Sequence, residues 1–428
     1  MTISRALDVT LVAGALAVCL TRATAAQEPS PLTAGASGIF LLTHATGTPG
    51  GTTLTEAYLT QPMLSAEWRP GWFEALGILN LEGLTLARGE LDLGAWGEGY
   101  VDRRHPHTYL HELMAGIHSA AGTVAASLYA GRGFVPFGSD DPMTRPFVSY
   151  PVDHHLAQIL ERLVVVGALR GGPLVLEGAA FNGDEPLDPS TPSLAKRFGD
   201  SWALRGTLVG ERGMSLLGRA ELSASYASVK SPEFREGAGL DQRKAHVGLR
   251  LDAATGPFTR YVLLEAARTT DVDRGRALYT FDALLAEAAV CRGDVGLALR
   301  WERSDRPEEE RLLDLFRTAR PATDASILGV TEWTTISGAI ALPAVTVIGV
   351  HAAPFIEVAG ITADRTTAAV FDPASFYGTN HMWRLSGLLR VGFGHVHDRV
   401  GRYGVADLPI IHRVPHEHHE LSSHRCFS

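Results

Sequence analysis

VGLALRWE, Val295 to Glu302, decides the fold. Along an extended chain Val295, Leu297, Leu299 and Trp301 point one way, and Gly296, Ala298, Arg300 and Glu302 the other. Apolar residues on one face, with Arg and Glu on the other, suit a wall between lipid and a polar lumen. The same period recurs. From Leu216 to Tyr226, Leu216, Gly218, Ala220, Leu222, Ala224 and Tyr226 oppose Arg219, Glu221, Ser223 and Ser225. Ala245, Val247, Leu249 and Leu251 oppose Lys244, His246, Gly248 and Arg250. Leu385, Gly387, Leu389, Val391 and Phe393 oppose Arg384, Ser386 and Arg390. Two segments are blurred: Leu163 to Leu169 is apolar on both faces, and Phe281 to Val290 puts Asp282 on the lipid side.

Between the apolar segments, short and long connections alternate. The short ones are Arg69 to Gly71, Ser119 to Gly122, Arg170 to Gly172, Arg212-Gly213, Ala254 to Pro257, Arg292 to Asp294 and Leu342 to Ala344. The long, polar ones centre on Thr48 to Gly51, Gly89 to His107, Phe134 to Asp153, Gly183 to Gly199, Ser231 to Gln242, Asp271 to Gly275, Arg306 to Ser326 and Asp364 to Asn380. Eight long and seven short connections predict sixteen strands. Turns on one side and loops on the other are the habit of an outer-membrane barrel, whereas a soluble sandwich has no reason to keep that asymmetry. Aromatic residues gather at the predicted strand ends: Trp68, Trp72, Trp202, Tyr226, Phe258, Tyr261, Trp383 and Phe393. Amphipathic rings at that depth form interfacial girdles.

Residues 1–26 read as a secretory signal peptide: Arg5 precedes the twelve-residue apolar run Val9 to Leu20, and Ala23-Thr24-Ala25 fits a cleavage site. Residues 27–36 form a periplasmic lead, 37–404 the barrel and 405–428 a polar, His-rich tail. No later apolar run reaches the length of a membrane-spanning helix. RPEEERLLDLFRTAR, Arg306 to Arg320, suggests a short helix within a loop. The net charge of −9 argues against nucleic acid as a partner. Cys291 and Cys426 survive removal of the signal, which excludes a disulfide scaffold and leaves room for one bridge.

The most distinctive stretches are HPHTYLHELMAG (His105 to Gly116), YAGRGFVPFGSDDPMTRPFVSYPVDHHLAQILER (Tyr129 to Arg162), LEGAAFNGDEP (Leu176 to Pro186) and RFGDSWALRG (Arg197 to Gly206). Through them the chain resembles a group of bacterial outer-membrane porin-like proteins and, more loosely, is similar to the phosphate-selective porins. The resemblance runs down to RVGRYG, Arg399 to Gly404. It implies an all-β, transmembrane antiparallel barrel of about sixteen strands in the outer membrane of a Gram-negative cell. Outer-membrane lipids, the barrel-assembly machinery and small polar solutes are the implied partners, and a homotrimer the implied assembly. Such barrels normally end on an aromatic residue of the last strand; here Phe393 fits that role, yet 35 residues follow it.

If the alternation holds, the lumen receives Glu67, Glu74, Glu82, Glu112, Glu177, Arg205, Arg219, Glu221, Arg250, Glu265, Arg300, Glu302, Arg384 and Arg390. A barrel this wide is not filled by its own wall side chains, so it is a water channel or it is plugged. Opposed Arg and Glu rows sort solutes by charge, or else lock into a lattice that stiffens the wall. The third long loop, with Pro136, Pro142, Pro146 and Pro151 and the charges of Asp140, Asp141 and Arg145, suits an inward constriction; an external position is the alternative. His105, His107, His111, His154 and His155 can meet near one rim, and His416, His418, His419 and His424 sit in the tail. Polar contact, rather than metal ligation, is the default for them, and no cofactor is indicated. Nucleophile-elbow, zincin and P-loop motifs are missing from the sequence, and Asp140, Asp141, His154 and His155 give no nucleophile–base pair, so the reading is not an enzyme. It is a diffusion channel or, alternatively, a non-conducting barrel that binds surfaces through its loops. Leu299→Arg is expected to cost stability, and Arg300→Ala to fold normally with altered selectivity.

Overall fold

The computed structural model describes residues 31–428 except 49–50, 86–106, 153, 187–188, 192, 211–217, 256, 310–326, 367–371, 395–398, 408–425 and 427–428. The signal peptide, His105, the four tail histidines, the turn Arg212-Gly213 and most of Arg306 to Arg320 lie outside the described residues.

The chain is a succession of antiparallel strands: β1 (Leu32–Thr48), β2 (Thr52–Trp68), β3 (Phe73–Asn80), β4 (Leu110–Ala121), β5 (Val124–Gly133), β6 (Arg162–Gly171), β7 (Leu174–Phe181), β8 (Ser201–Gly210), β9 (Arg219–Val229), β10 (Asp241–Thr255), β11 (Phe258–Asp273), β12 (Arg276–Arg292), β13 (Val295–Glu309), β14 (Ile327–Ala341), β15 (Val345–Val347), β16 (Val350–Arg365) and β17 (His381–Gly394). Each pairs with its successor, except that β14 pairs directly with β16 and the three-residue β15 only edges it. β17 returns to β1, from Gly35↔Gly394 to Ala45↔Arg384, and β1 pairs with β2. The result is a closed barrel of sixteen wall strands. Closure pairs every strand edge, which is what lets a sheet cross hydrocarbon, where an unpaired N–H or C=O finds no water.

The outer surface is what lipid requires. Leu113, Leu128, Leu204, Leu222, Val247, Leu284, Leu297 and Ile336 are exposed, and Leu299 is 67% exposed. In water so continuous an apolar face would drive association; in a bilayer it is the contact surface. Trp68, Trp72, Trp202, Tyr226, Phe258 and Trp383 are exposed near strand ends, with Trp202 and Tyr226 in ring contact at 5.7 Å. Tyr261 departs from the expected girdle: its register turns it inward, where Arg250 lies 5.2 Å over its ring.

Asp282 does face outward, but it is paired: Arg268 Nε and Nη2 donate to it at 2.6 and 2.7 Å. It lies ten residues from the periplasmic end of β12, or ~23 Å up a strand tilted by 45°, the edge of the apolar band. Asp271 to Gly275, expected as a long loop, is instead a two-residue turn. Arg274 and Gly275 have φ of 47° and 86°, the left-handed pair that joins strands without breaking their twist. Arg306, expected to open a loop helix, belongs to β13. Strands begin at Leu32 and end at Gly394.

Candidate functional site

The third of the long connections, the described residues of 134–161, lies inside the barrel. It leaves β5, crosses the lumen to the opposite wall and returns to β6. Gly138 N donates to Ser225 Oγ of β9 at 3.0 Å. Ser139 Oγ donates to Glu265 of β11, whose carboxylate also meets Arg145 Nη2 at 3.5 Å and His246 Nε2 at 2.9 Å. Lys244 Nζ of β10 donates to the His155 carbonyl at 2.7 Å. Val148 N donates to Glu357 of β16 at 2.6 Å, and Val152 N to Glu302 of β13 at 2.8 Å. Arg300 of β13 is pinned by Glu287 at 2.6 Å, donates to the Ser149 carbonyl at 2.7 Å and lies 4.4 Å over the Phe147 ring. Apart from Glu265, which meets the Ser139 and Arg145 side chains, these are wall side chains reaching loop backbone, so a polar loop is held in place by a polar wall. Gly138 permits the crossing: its φ is +78°, and a Cβ there would lie 1.7 Å from the Ala157 carbonyl oxygen.

A second segment, residues 399–407, enters the lumen beyond β17. Tyr403 stacks on Tyr129 of β5 at 5.8 Å, donates to Glu112 of β4, and accepts from Phe134 N at 2.8 Å. Val405 N donates to Ser127 Oγ at 3.2 Å; Ala406 packs on Ala168, Val175 and Val209. Asp407 meets Arg69, in the β2–β3 turn, at 3.2 Å. Gly404 is required by proximity as well as by its φ of +53°, since a Cβ there would sit 2.6 Å from Ser127 Cβ. Past this segment the chain is tied down again: Cys426 is disulfide-bonded to Cys291 of β12. That bridge is the one the sequence left open.

The two inserted segments meet at Asp140. Arg399 Nη2 lies 2.8 and 3.1 Å from its two oxygens, Arg402 Nε lies 3.2 Å away, and Arg250 of β10 completes the shell. Burial alone would raise the Asp140 carboxyl; Arg399, Arg250 and Arg402 hold it well below the usual carboxylate range. Arg399 also forks onto Glu221 of β9 at 3.0 and 2.9 Å. Arg402 reaches Glu177 at 3.5 Å, and Glu177 is held bidentately by Arg205 at 2.6 and 2.7 Å. Arg219 meets Glu221 at 2.8 Å, and Arg250 meets Asp252 at 2.6 Å.

Thus Glu112, Glu177, Arg205, Arg219, Glu221, Arg250, Glu265, Arg300, Glu302 and Arg384 all lie on the interior face and are buried there; Arg390 is half-buried, 5.4 Å over Phe355. Glu74 accepts from Tyr129 at 2.5 Å, and Glu82 from Thr60 at 2.6 Å and Gln61 N at 3.1 Å. Glu67 also faces inward. Asp140 and Arg145 join the lumen network, whereas Asp141 turns its carboxylate to its own loop and caps Met143 N at 2.8 Å. Arg399, Arg402, Asp252, Glu287 and Glu357 were not singled out from sequence. Arg399 and Arg402 had a signal in RVGRYG; Asp252 continues the period read from Lys244 to Leu251, Glu287 falls in the blurred Phe281 to Val290, and only the strand of Glu357 had gone unread.

Another cluster lies at the end of the barrel where the long connections gather. His107 Nδ1 and His111 Nδ1 are 3.0 and 2.5 Å from the same Glu161 oxygen, Oε1. Burial opposes a charged imidazolium at His107, but the hydrogen bond and charge of Glu161 raise it to about 9. His154 and His155 do not join this carboxylate; their rings are 3.9 Å apart and tilted, and His154 stacks on Tyr150 at 5.0 Å.

No protein-family model matches the chain, and neither does any curated protein sequence. Among solved structures it is similar to an anion-selective porin from Comamonas acidovorans, at 9% identity and a TM-score of 0.48, covering 85% of this chain and 99% of that one. It is also similar to OccK2 (OpdF) of Pseudomonas aeruginosa in complex with glucuronate, at 11% identity and a TM-score of 0.38, covering 85% and 98%. A loop-L8 deletion mutant of OmpT from Vibrio cholerae gives 8% identity and a TM-score of 0.43, covering 86% and 100%. The closed pairing and the apolar exterior, rather than likenesses this distant, establish the transmembrane barrel.

Proposed function

We propose that the chain is a porin-like channel of the outer membrane, not an enzyme, that passes small hydrophilic solutes or ions by diffusion. In this reading residues 134–161 and 399–407 form its internal obstruction. One observation carries it: both inserted segments are held to the wall by charged and polar groups. A permanently filled barrel gains nothing from ion pairs, because apolar packing in their place is often neutral or stabilising. A wall that meets water and solutes needs them.

The network around Asp140 sets five guanidinium groups, those of Arg205, Arg219, Arg250, Arg399 and Arg402, against the carboxylates of Asp140, Glu177, Glu221 and Asp252. The excess is local to this junction and favours anions there, and arginine forks suit oxyanions. Phosphate-type solutes enter the proposal on that ground alone. The reading carries with it insertion by the barrel-assembly machinery and a homotrimer, which crosslinking in native membranes checks.

The test is single-channel recording of the mature protein in a planar bilayer under a salt gradient. Discrete steps with an anion-signed reversal potential are expected. Silence from protein shown to be folded and inserted refutes the channel. It leaves the second reading, a non-conducting barrel acting through its loops, which the burial of the inward wall residues favours.

A further inference from the structure

The geometry points to a divalent transition-metal site at the extracellular mouth, formed by His107, His111 and Glu161. It takes a cation of the zinc, copper or nickel class, and it rests on nothing in the channel reading. The three ligand atoms all lie within 4.8 Å of one another. All three side chains are buried. His111 at the start of β4 and His107, just ahead of that strand, supply the imidazoles, and Glu161 at the exit of the inserted loop supplies the carboxylate. Two imidazoles and one carboxylate form a donor set that zinc uses where a fourth position stays open, at metal–ligand distances of about 2.0–2.2 Å. Tetrahedral ligands at that range stand roughly 3.3 Å apart, so the two imidazoles, now 3.0 and 2.5 Å from Glu161 Oε1, have to shift to make room for the ion.

The surroundings are those of a built site. Glu161 Oε2 is fixed by Thr108 N at 3.0 Å and Thr108 Oγ1 at 2.8 Å, which aims Oε1 at the two imidazoles. A cation entering there displaces the protons on both Nδ1 atoms. The His107 proton then belongs on Nε2, which already lies 3.1 Å from Tyr150 Oη; such an outer partner is the habit of metal-bound imidazoles. His111 Nε2 is buried with no hydrogen-bond partner among the described residues. Glu161 itself holds a φ of +43°, a left-handed conformation that a glutamate adopts only under constraint, and such strain gathers at ligand sites. A cleft lined by His107, His155, Gln158, Glu161, Glu185 and Lys244 reaches two of the three ligands, His107 and Glu161, and gives the ion a way in. The opposing feature is Arg132, whose Nη2 lies 3.6 Å from Glu161 Oε2. It weakens the hold on a cation, but from the outer oxygen, away from the ligating one.

The test uses the mature, untagged, full-length chain folded in detergent, with His416, His418, His419 and His424 replaced by serine so that the tail binds nothing. Cobalt(II) is titrated in, then zinc. Expected are the visible absorption of low-coordinate cobalt saturating at one equivalent per chain, its loss on adding zinc, and at least tenfold weaker binding in His111→Gln. Tyr150→Phe, which leaves all three ligands in place, is expected to weaken binding about tenfold and keeps the test decisive if His111→Gln misfolds. Folded protein that takes no cobalt overturns the site. So does binding that neither His111→Gln nor Tyr150→Phe alters, which would mean an adventitious ion only.

Discussion

Arg399→Ala removes the fork that joins the C-terminal segment to both the inserted loop and the wall. Arg399 makes two contacts to Glu221 at 3.0 and 2.9 Å and two to Asp140 at 2.8 and 3.1 Å. Stripping one partner from a buried ion pair costs about 3–5 kcal/mol, because the other charge stays behind uncompensated. Here Asp140 keeps Arg250 and Arg402, and Glu221 keeps Arg219. The cost therefore falls at the low end, about 3 kcal/mol, which shifts the docking equilibrium of the segment by about two powers of ten. The assay is the open-time fraction of single channels at fixed voltage. Arg399→Ala raises it sharply, and Arg399→Lys, which keeps the charge but loses the fork, falls between. If folded Arg399→Ala matches the unsubstituted protein in both conductance and open-time fraction, the segment is not what limits passage.

On the lipid face, Leu299→Arg costs about 2–4 kcal/mol in reversible unfolding from bilayers; a neutral result would reverse the facing of β13. The expectation that Arg300→Ala folds normally gives way to a loss of about 3 kcal/mol, measured the same way, since it strands Glu287 and releases the Ser149 carbonyl. Because the Asp140 pKa is depressed in the folded state, its contribution is complete above the unfolded carboxylate value near 3.9 and is lost only as pH falls from there through the folded value. Channel gating should therefore not loosen on this account between pH 7 and 5, and Asp140→Asn should loosen it at pH 7; equal open-time fractions for the two proteins would discount Asp140. Gly138→Ala forces a left-handed alanine, costing about 1–2 kcal/mol before the collision with Ala157, and should render residues 134–161 protease-sensitive. Tryptic digestion without reductant should yield Cys426-Phe427-Ser428 joined to the peptide carrying Cys291. The bridge closes 135 residues, worth up to about 5 kcal/mol, so Cys291→Ser should lower the unfolding midpoint.

The wall was legible because the bilayer imposes one rule on every strand. Leu297 and Leu299 must alternate with Ala298 and Arg300, and no tertiary accident overrides that. Connection number followed for the same reason, although Asp271 to Gly275 looked long only because polar residues continue on strands past the lipid. What fills the lumen was much less legible. An inward position is polar whether it meets water or another part of the chain, so Glu357 or Arg300 reads identically in an open pore and against residues 134–161. Asp140 and Asp141 are neighbours of one type with opposite fates, one at the meeting of two segments and one capping its own turn, and only the course of the backbone separates them. Cys291 and Cys426 could be seen as a pair with no sign that residues 399–407, between them in sequence, enter the lumen.

Asp140 sits where a loop anchored at the outer rim meets a segment anchored at the inner one. Thermodynamic linkage makes that junction reciprocal: a ligand that favours one position of the loop by some free energy changes the docking of residues 399–407 by the same amount, and the converse holds. In the proposed channel, a molecule that binds the loop and one that binds residues 399–407 would thus act on one shared equilibrium, with no strand of the wall having to move.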